Sequence, residues 1–140
     1  MINLHSLNWS ESLKLYKKMQ SEVKECYQNI FEIVLKYNKK FATGKWKIAY
    51  GYLLEPNLSS MIRHCFIINE NNEAIDPTLY TYSEDKQERD YISFKLFDSL
   101  DEYEDMLREN DLKPDLVFCL MDLDLEAEKW ASENEFILIR

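Results

Sequence analysis

Glycine and proline are scarce in this chain: only 2 Gly and 3 Pro occur among its 140 residues. This scarcity excludes a glycine-rich phosphate-binding loop, a collagen-like repeat and a flexible linker. The length suits one domain, because a chain of this size buries about 68% of the surface that its unfolded form exposes. We therefore expect a single domain that spans residues 1–140.

Positive charge is also in the minority. Seventeen Lys and Arg stand against 26 Asp and Glu, so the net charge is −9. Because nucleic-acid affinity depends on neutralising phosphates with cations, this balance argues against a nucleic acid as a direct partner. It is compatible with a protein partner that presents a basic surface.

Long apolar runs are absent as well. The longest, Leu116 to Met121, has six residues, far fewer than a membrane span needs. The segment from Met1 to Ser10 lacks the features of a secretory signal. The 3 Cys include no C-x-x-C pair, and the His and Cys residues show no metal-ligand spacing. These absences predict a cytoplasmic protein that has no membrane partner, no metal and no other cofactor.

The periodicity of the apolar residues predicts an α+β fold. Helical spacing predicts a first helix from about residue 8, with Asn8 and Glu11 as its start signal, and further helices at 25–40, 99–109 and 124–133. Ser99 and Glu102 are the start signal of the helix at 99–109. Alternation and short apolar runs predict strands at 46–54, 62–69, 73–76, 91–97, 116–121 and 136–139, and a polar loop at 78–90. The expected architecture is N-terminal helices packed on an antiparallel sheet, with additional helices towards the C-terminus.

Cys26 is the first candidate for chemistry, because it falls in the first turn of the second predicted helix. The positive end of the helix dipole favours a thiolate there, and the thiolate is the nucleophilic form of cysteine. Backbone N–H groups at the same helix start can also hold a developing oxyanion. Cys65 and Cys119 instead lie within apolar segments and are typical of buried thiols.

His64 and Asp76 lie on the two arms of a predicted hairpin whose turn is centred on Glu70. A symmetric hairpin about that residue makes them direct cross-strand neighbours, close enough for a carboxylate to orient an imidazole. Together with Cys26 they supply a nucleophile, a base and a group that orients the base. The carboxylates between Asp98 and Asp105, by contrast, are typical of a solvated helix face.

Several segments resemble transglutaminase-like members of the papain-like cysteine-enzyme superfamily, and are most similar to small bacterial and phage members. The resemblance covers about residues 20–97. It rests on four motifs: Glu25-Cys26-Tyr27-Gln28-Asn29, Tyr50-Gly51-Tyr52, Arg63-His64-Cys65-Phe66 and Ile75-Asp76-Pro77-Thr78. Three positions depart from the family pattern: Cys65 and Phe66 stand where Ala and Trp usually follow the histidine, and Leu79 stands where an aromatic residue usually follows the Asp-Pro-Thr run.

The resemblance implies a papain-like fold in which Cys26 is the nucleophile, His64 the general base and Asp76 the orienting acid. Four further residues are weaker candidates. Asn29, one turn after Cys26, either holds the helix start or lines the pocket. Gln20 resembles an oxyanion-hole glutamine, and Tyr50 and Tyr52 are expected to form a wall beneath the site.

Two functions from different classes follow. The first is a cysteine-dependent hydrolase or acyltransferase that acts on an amide-type bond of a protein or peptide-like substrate, through a thioester intermediate. The second is a small acidic binding protein, of the immunity or phage anti-defence type, that caps the surface of a protein partner without catalysis.

Overall fold

The computed structural model describes residues 3–81, 89–114 and 124–139. Within these ranges the chain forms a mixed sheet and several helices, which is an α+β fold. The helices are α1 (Trp9–Met19), α2 (Cys26–Lys36), α3 (Asn38–Ala42), α4 (Leu100–Glu109) and α5 (Asp124–Glu133), with short 3-10 turns at Pro56–Leu58 and Pro77–Thr81. The strands are β1 (Asn3–Ser6), β2 (Lys47–Glu55), β3 (Ser60–Ile68), β4 (Ala74–Ile75), β5 (Asp90–Phe97) and β6 (Ile137–Ile139).

Two of the helix starts follow the capping chemistry that the sequence predicts. The side-chain oxygen of Asn8 accepts a hydrogen bond from the backbone N–H of Glu11 at 3.0 Å, at the start of α1. Ser99 accepts from the backbone N–H of Glu102 at 3.1 Å, at the start of α4. Each cap satisfies a backbone donor that has no partner within its helix.

The sheet is mixed, so the expectation of an antiparallel sheet was wrong in one respect. Five strands lie in the order β1-β5-β2-β3-β4, and each pair in this series is antiparallel. The sixth strand, β6, pairs with the start of β3 in parallel. Parallel pairing is possible here because a long stretch of chain separates the two strands.

The sheet is covered on both faces. On one face α2 contributes Ile30 and Ile33 to an apolar cluster that includes Tyr50 and Cys65. On the other face Phe66 and Tyr91 lie in a second cluster with Leu7, Leu79 and Tyr80. Every residue from Ile48 to Leu54 is therefore buried, although the alternation in the sequence is typical of a strand with one wet face.

Gly51 allows β5 to approach β2 closely. A Cβ built at this position lies only 1.8 Å from the carbonyl oxygen of Ile92, a contact that no side chain tolerates. The register between β2 and β5 shifts between Tyr50 and Gly51, and Gly51 lies directly opposite His64 on β3. Because Gly51 has no side chain, β5 packs closely against β2, and this packing sets the position of the backbone beside His64.

Other predicted boundaries differ from the structure. The second predicted helix divides into α2 and α3 at Tyr37. The start of the predicted polar loop at 78–90 instead belongs to a 3-10 turn, Pro77–Thr81, in which Thr78, Leu79 and Tyr80 are buried. The predicted strand at 116–121, with Cys119, lies outside the described residues. Within the described ranges, each helix is too short or too polar to cross a bilayer.

Candidate active site

Cys26 is the first residue of α2 and is partly buried. The residue before it, Glu25, makes no side-chain capping hydrogen bond to this helix. The backbone N–H groups of the first turn therefore have no side-chain cap from Glu25. The predicted location of Cys26 at a helix start is confirmed.

Asn29 fixes the loop that leads into Cys26. Its side-chain oxygen accepts from the backbone N–H of Glu22 at 3.0 Å, and its amide donates to the carbonyl of Glu22 at 2.8 Å. The same amide nitrogen donates to the hydroxyl of Thr78 at 2.9 Å. Because Asn29 is buried and engaged on both sides of its amide, it holds the helix start, which is the first of its two predicted roles.

His64 and Asp76 form a buried pair. The Nε2 atom of His64 donates to both carboxylate oxygens of Asp76 at 2.9 Å. The hydroxyl of Tyr91 donates to the same carboxylate at 2.6 Å, and the backbone N–H of Leu79 donates to it at 3.3 Å. A carboxylate that accepts several hydrogen bonds is held in one orientation, so Asp76 in turn fixes the plane of the imidazole.

A further contact anchors the backbone of Asp76. Its N–H donates to the hydroxyl of Ser12 at 2.8 Å, and that hydroxyl donates to the carbonyl of Asn8 at 2.6 Å. Helix α1 therefore positions the carboxylate through Ser12. Neither Ser12 nor Tyr91 is a candidate in the sequence analysis, because no local motif marks a residue whose only role is to hold another.

The hairpin register differs from the predicted one. Ile67 pairs with Ile75 and Ile68 with Ala74, so His64 and Asp76 are not direct cross-strand partners. The difference amounts to two residues along one strand. Since side chains alternate between faces with a period of two, an even shift keeps both residues on the same face. The predicted hydrogen bond between them is therefore present despite the wrong register.

The Cys26 side chain lies close enough to the His64 imidazole to contribute to its raised pKa. Because Nε2 is taken up by Asp76, Nδ1 is the ring nitrogen that remains for an interaction with this thiol. On the edge of β3 that faces away from β2, β6 pairs with Ser60–Ile62 and β4 pairs with Ile67–Ile68. Among the described residues no strand pairs with the middle of this edge, where His64 lies, and α2 packs against β3. The Cys26 side chain can therefore approach His64.

The electrostatic setting favours a charged imidazole. Burial alone lowers the pKa of His64, but the Asp76 carboxylate, its hydrogen bond and the Cys26 side chain outweigh burial and raise the pKa to about 10. A protonated His64 beside Cys26 is the partner that a thiolate needs. Burial raises the pKa of Cys65 well above its usual value, so that thiol stays protonated.

Two clefts flank Cys26. A cleft of about 400 Å³ is bounded by Cys26 and His64 together with Lys24, Arg63 and Ile62. We call it the Arg63 cleft. A second, of about 300 Å³, has Cys26 in its wall with Tyr27, Gln28 and Pro114. We call it the Tyr27 cleft. Cys26 is common to both, so this residue borders open space on two sides.

Of the remaining weaker candidates, Tyr50 and Tyr52 are buried and Gln20 is exposed. Tyr50 packs edge to face on Tyr27 at 5.1 Å and donates its hydroxyl to the carbonyl of Pro114, so it supports two walls of the Tyr27 cleft. Tyr52 is buried against Phe94 in the same apolar cluster. Gln20 is exposed at the end of α1 and lines neither cleft.

The position of Cys65 can be compared with its predicted packing role. Cys65 belongs to the apolar cluster on the α2 face, whereas His64 stacks on Phe66 in the cluster on the opposite face, so the predicted packing role of Cys65 fits its position. Within the described residues, no three His, Cys, Asp or Glu side chains are grouped in a way that could hold a metal ion.

Comparison with known proteins adds no relative: no family model, no curated protein and no solved structure matches the chain.

Proposed function

We propose that this protein is a cysteine-dependent hydrolase or acyltransferase of the papain-like, transglutaminase-like type, acting on an amide-type bond. One observation carries the proposal: an imidazole that is hydrogen-bonded to a buried carboxylate lines the same open cleft as a thiol at a helix start. This arrangement matches the general pattern of a nucleophile, a base and a group that orients the base.

In the first half of the reaction, the Cys26 thiolate attacks the carbonyl carbon of the bound amide. The carbon–sulfur bond forms as the carbonyl oxygen takes up the negative charge. Backbone N–H groups in the first turn of α2 are suited to stabilise this oxyanion. Collapse of the intermediate breaks the carbon–nitrogen bond, and the His64 imidazolium gives its proton to the leaving amine.

In the second half, neutral His64 accepts a proton from the incoming acceptor, which attacks the thioester. The carbon–sulfur bond breaks and the thiolate returns to its starting state. Water as the acceptor gives hydrolysis, and an amine gives acyl transfer. Throughout the cycle Asp76 holds the imidazole and stabilises its charged form, while Tyr91 and Ser12 hold Asp76.

An acylation assay tests the proposal without knowledge of the natural substrate. The protein is mixed with p-nitrophenyl acetate, and p-nitrophenolate release and the intact mass are followed in parallel. We expect one acetyl group on Cys26, in a burst followed by slower turnover. Cys26→Ala and His64→Ala should lose the burst, whereas the matched control Cys65→Ala should keep it. A burst that survives Cys26→Ala would refute the proposal.

The alternative function is that of a small acidic protein that binds and caps a partner surface without catalysis. The net charge of −9 supports it, since such a charge favours association with basic surfaces. The two functions differ in their dependence on the thiol. A Cys26→Ala protein that stays folded and keeps its full biological effect would favour the binding function.

A further inference from the structure

The positive charges of this acidic chain are unevenly distributed. The segment 36–47 contains five lysines and no Asp or Glu, although the whole chain has a net charge of −9. Part of this segment borders a cleft of about 250 Å³ that has α1 as its other wall. On the α1 side it is lined by Glu11, Lys14 and Lys18, and on the facing side by Tyr37, Lys40 and Trp46; we call it the Lys40 cleft. Among the described residues it shares none with the Arg63 cleft or the Tyr27 cleft.

One wall of the Lys40 cleft is a single face of α1. Glu11, Lys14 and Lys18 follow one another at intervals of three and four residues, which places their side chains on the same side of a helix. Lys14 and Lys18 are both exposed. Two like charges one turn apart repel each other, so an anion bound between these ammonium groups would relieve the repulsion.

Aromatic rings on the facing wall hold two of the ammonium groups. The Nζ atom of Lys40 lies 4.1 Å from the centre of the Trp46 ring, and the Nζ atom of Lys18 lies 5.4 Å from the centre of the Tyr37 ring. The centres of these two rings are 5.8 Å apart. The Trp46 N–H donates to the Lys40 carbonyl at 3.1 Å, which fixes the backbone of this wall. Cations from two different elements therefore lie over neighbouring rings.

These ring contacts position the ammonium groups without neutralising them, because an aromatic ring attracts a cation but carries no net charge. Within the described part of the chain, Lys14, Lys18 and Lys40 form no ion pair with a carboxylate. The one carboxylate among the described lining residues is that of Glu11, which accepts from the Asn69 side-chain amide at 3.4 Å. The charge of the cleft is therefore 3 − 1 = +2.

A phosphate monoester matches this charge, since it carries about −1.5 to −2 at neutral pH. Ammonium groups bind phosphate as point charges, whereas a single carboxylate is matched best by the fork of an arginine. The described lining residues of the Lys40 cleft include three lysines and no arginine. Leu15 and the Tyr37 ring add apolar surface that suits the organic part of such a ligand.

We propose that the Lys40 cleft binds the phosphate group of a small organic phosphate monoester, with Lys14, Lys18 and Lys40 as the residues that hold it. The cleft meets α2 at its C-terminal end, whereas Cys26 is the first residue of that helix. At 1.5 Å per residue, Cys26 and Tyr37 are about 16 Å apart along the helix axis. The inference therefore concerns a second site and does not depend on the proposed function.

Titrations followed by two-dimensional NMR of the isotope-labelled protein measure the affinity and locate the site. The probes are phenyl phosphate, inorganic phosphate and phenyl sulfate, which resembles phenyl phosphate in shape but has one negative charge fewer. We expect phenyl phosphate to shift the backbone signals of Lys40 and Trp46. It should bind more tightly than inorganic phosphate and about fivefold more tightly than phenyl sulfate at physiological salt.

Variants of exposed residues test the role of each charge. Lys18→Gln and Lys40→Gln should each weaken phenyl phosphate binding by about fivefold, the effect of removing one charge about 5 Å from a dianion at physiological salt. Glu11→Gln should tighten binding, a gain that loss of structure cannot produce. Lys39→Gln is the matched control, because Lys39 is exposed beside Lys40 but does not line the cleft, and it should change the affinity much less. Melting temperatures check that each variant has folded.

Four results would overturn the inference. The first is equal affinity for phenyl sulfate and phenyl phosphate, and the second is an affinity that stays the same in Lys18→Gln, Lys40→Gln and the double variant. The third is shifts centred on Cys26 instead of Lys40. The fourth is tighter binding of another anion: inorganic phosphate would assign the cleft to free phosphate, and a hexaglutamate peptide would assign it to an acidic protein segment.

Discussion

Replacing Asp76 by Asn changes the charge of the buried pair while keeping its shape. Asp76 is completely buried and accepts hydrogen bonds from His64, Tyr91 and the Leu79 backbone. In an asparagine one of the two carboxylate oxygens is replaced by an NH2 group, which donates hydrogen bonds. This group would face a neighbour that also donates, so one of the hydrogen bonds to Asp76 would be lost. Without the carboxylate, burial still lowers the pKa of His64 while its two largest raising influences are gone, so this pKa falls well below its wild-type value.

The magnitude follows from linkage. In the wild type the pKa of His64 is raised from 6.5 to about 10. Between these two pH values the folded state therefore keeps a proton that the unfolded state has already lost. The stabilisation is fully present below pH 6.5 and is lost as the pH rises through about 10. Removing one partner of a buried charge pair typically costs about 3–5 kcal/mol. We expect Asp76→Asn to lose about this much at about pH 6, and about 1 kcal/mol by pH 10.

Urea unfolding of wild type and Asp76→Asn at several pH values measures this difference. Asp90→Asn is the matched control, because Asp90 is exposed on β5 and its replacement should cost little at any pH. The wild-type-minus-variant difference cancels the titration of groups common to both proteins. A penalty for Asp76→Asn that is the same at about pH 6 and at pH 10 would refute the assignment of a charged His64 to the native state.

Three further predictions follow from the same geometry. Iodoacetamide should label Cys26 well before the buried Cys65, and His64→Ala should slow this labelling; peptide mapping that finds Cys65 labelled first would contradict it. Cys26→Ala should lower the free energy of unfolding by well under the ~2–5 kcal/mol of a large core truncation while abolishing acylation, and a drop in that larger range would mean that Cys26 is a packing residue. Gly51→Ala should destabilise the fold by about 3 kcal/mol or more, because its Cβ meets the Ile92 carbonyl at 1.8 Å; an unchanged melting temperature would show that β5 can move away.

The elements that the sequence predicts well are those whose signals are local. Asn8 and Ser99 mark their helices because a cap depends only on the residues three positions further on. The strands β2, β3 and β5 follow from apolar alternation over eight or nine residues. In each case the information lies within one turn or one strand.

The missed elements depend on distant parts of the chain. The strand β1 has four residues and is formed by pairing with β5, so its own residues carry little periodicity. Its His5 is buried, donates from Nδ1 to the Asn72 carbonyl at 3.1 Å and lies 2.7 Å from the Ser93 hydroxyl. These partners are far away in sequence, and no short motif identifies them. The parallel pairing of β6 with β3 is missed for the same reason.

The candidate site was predictable because its central contact tolerates an error in register. A hairpin prediction specifies two things, the pairing partner and the face, and a two-residue shift changes only the partner. His64 and Asp76 therefore meet through the reach of their side chains, at 2.9 Å, although the ladder pairs Ile67 with Ile75. A one-residue shift would have placed the carboxylate on the opposite face, where Cys65 packs against the α2 cluster. What the hairpin pattern could not provide is the contact with Cys26, because it depends on how α2 packs against the uncovered middle of β3. That part of the prediction depended on the resemblance to cysteine enzymes, and its chemical test is the reactivity of the Cys26 thiol.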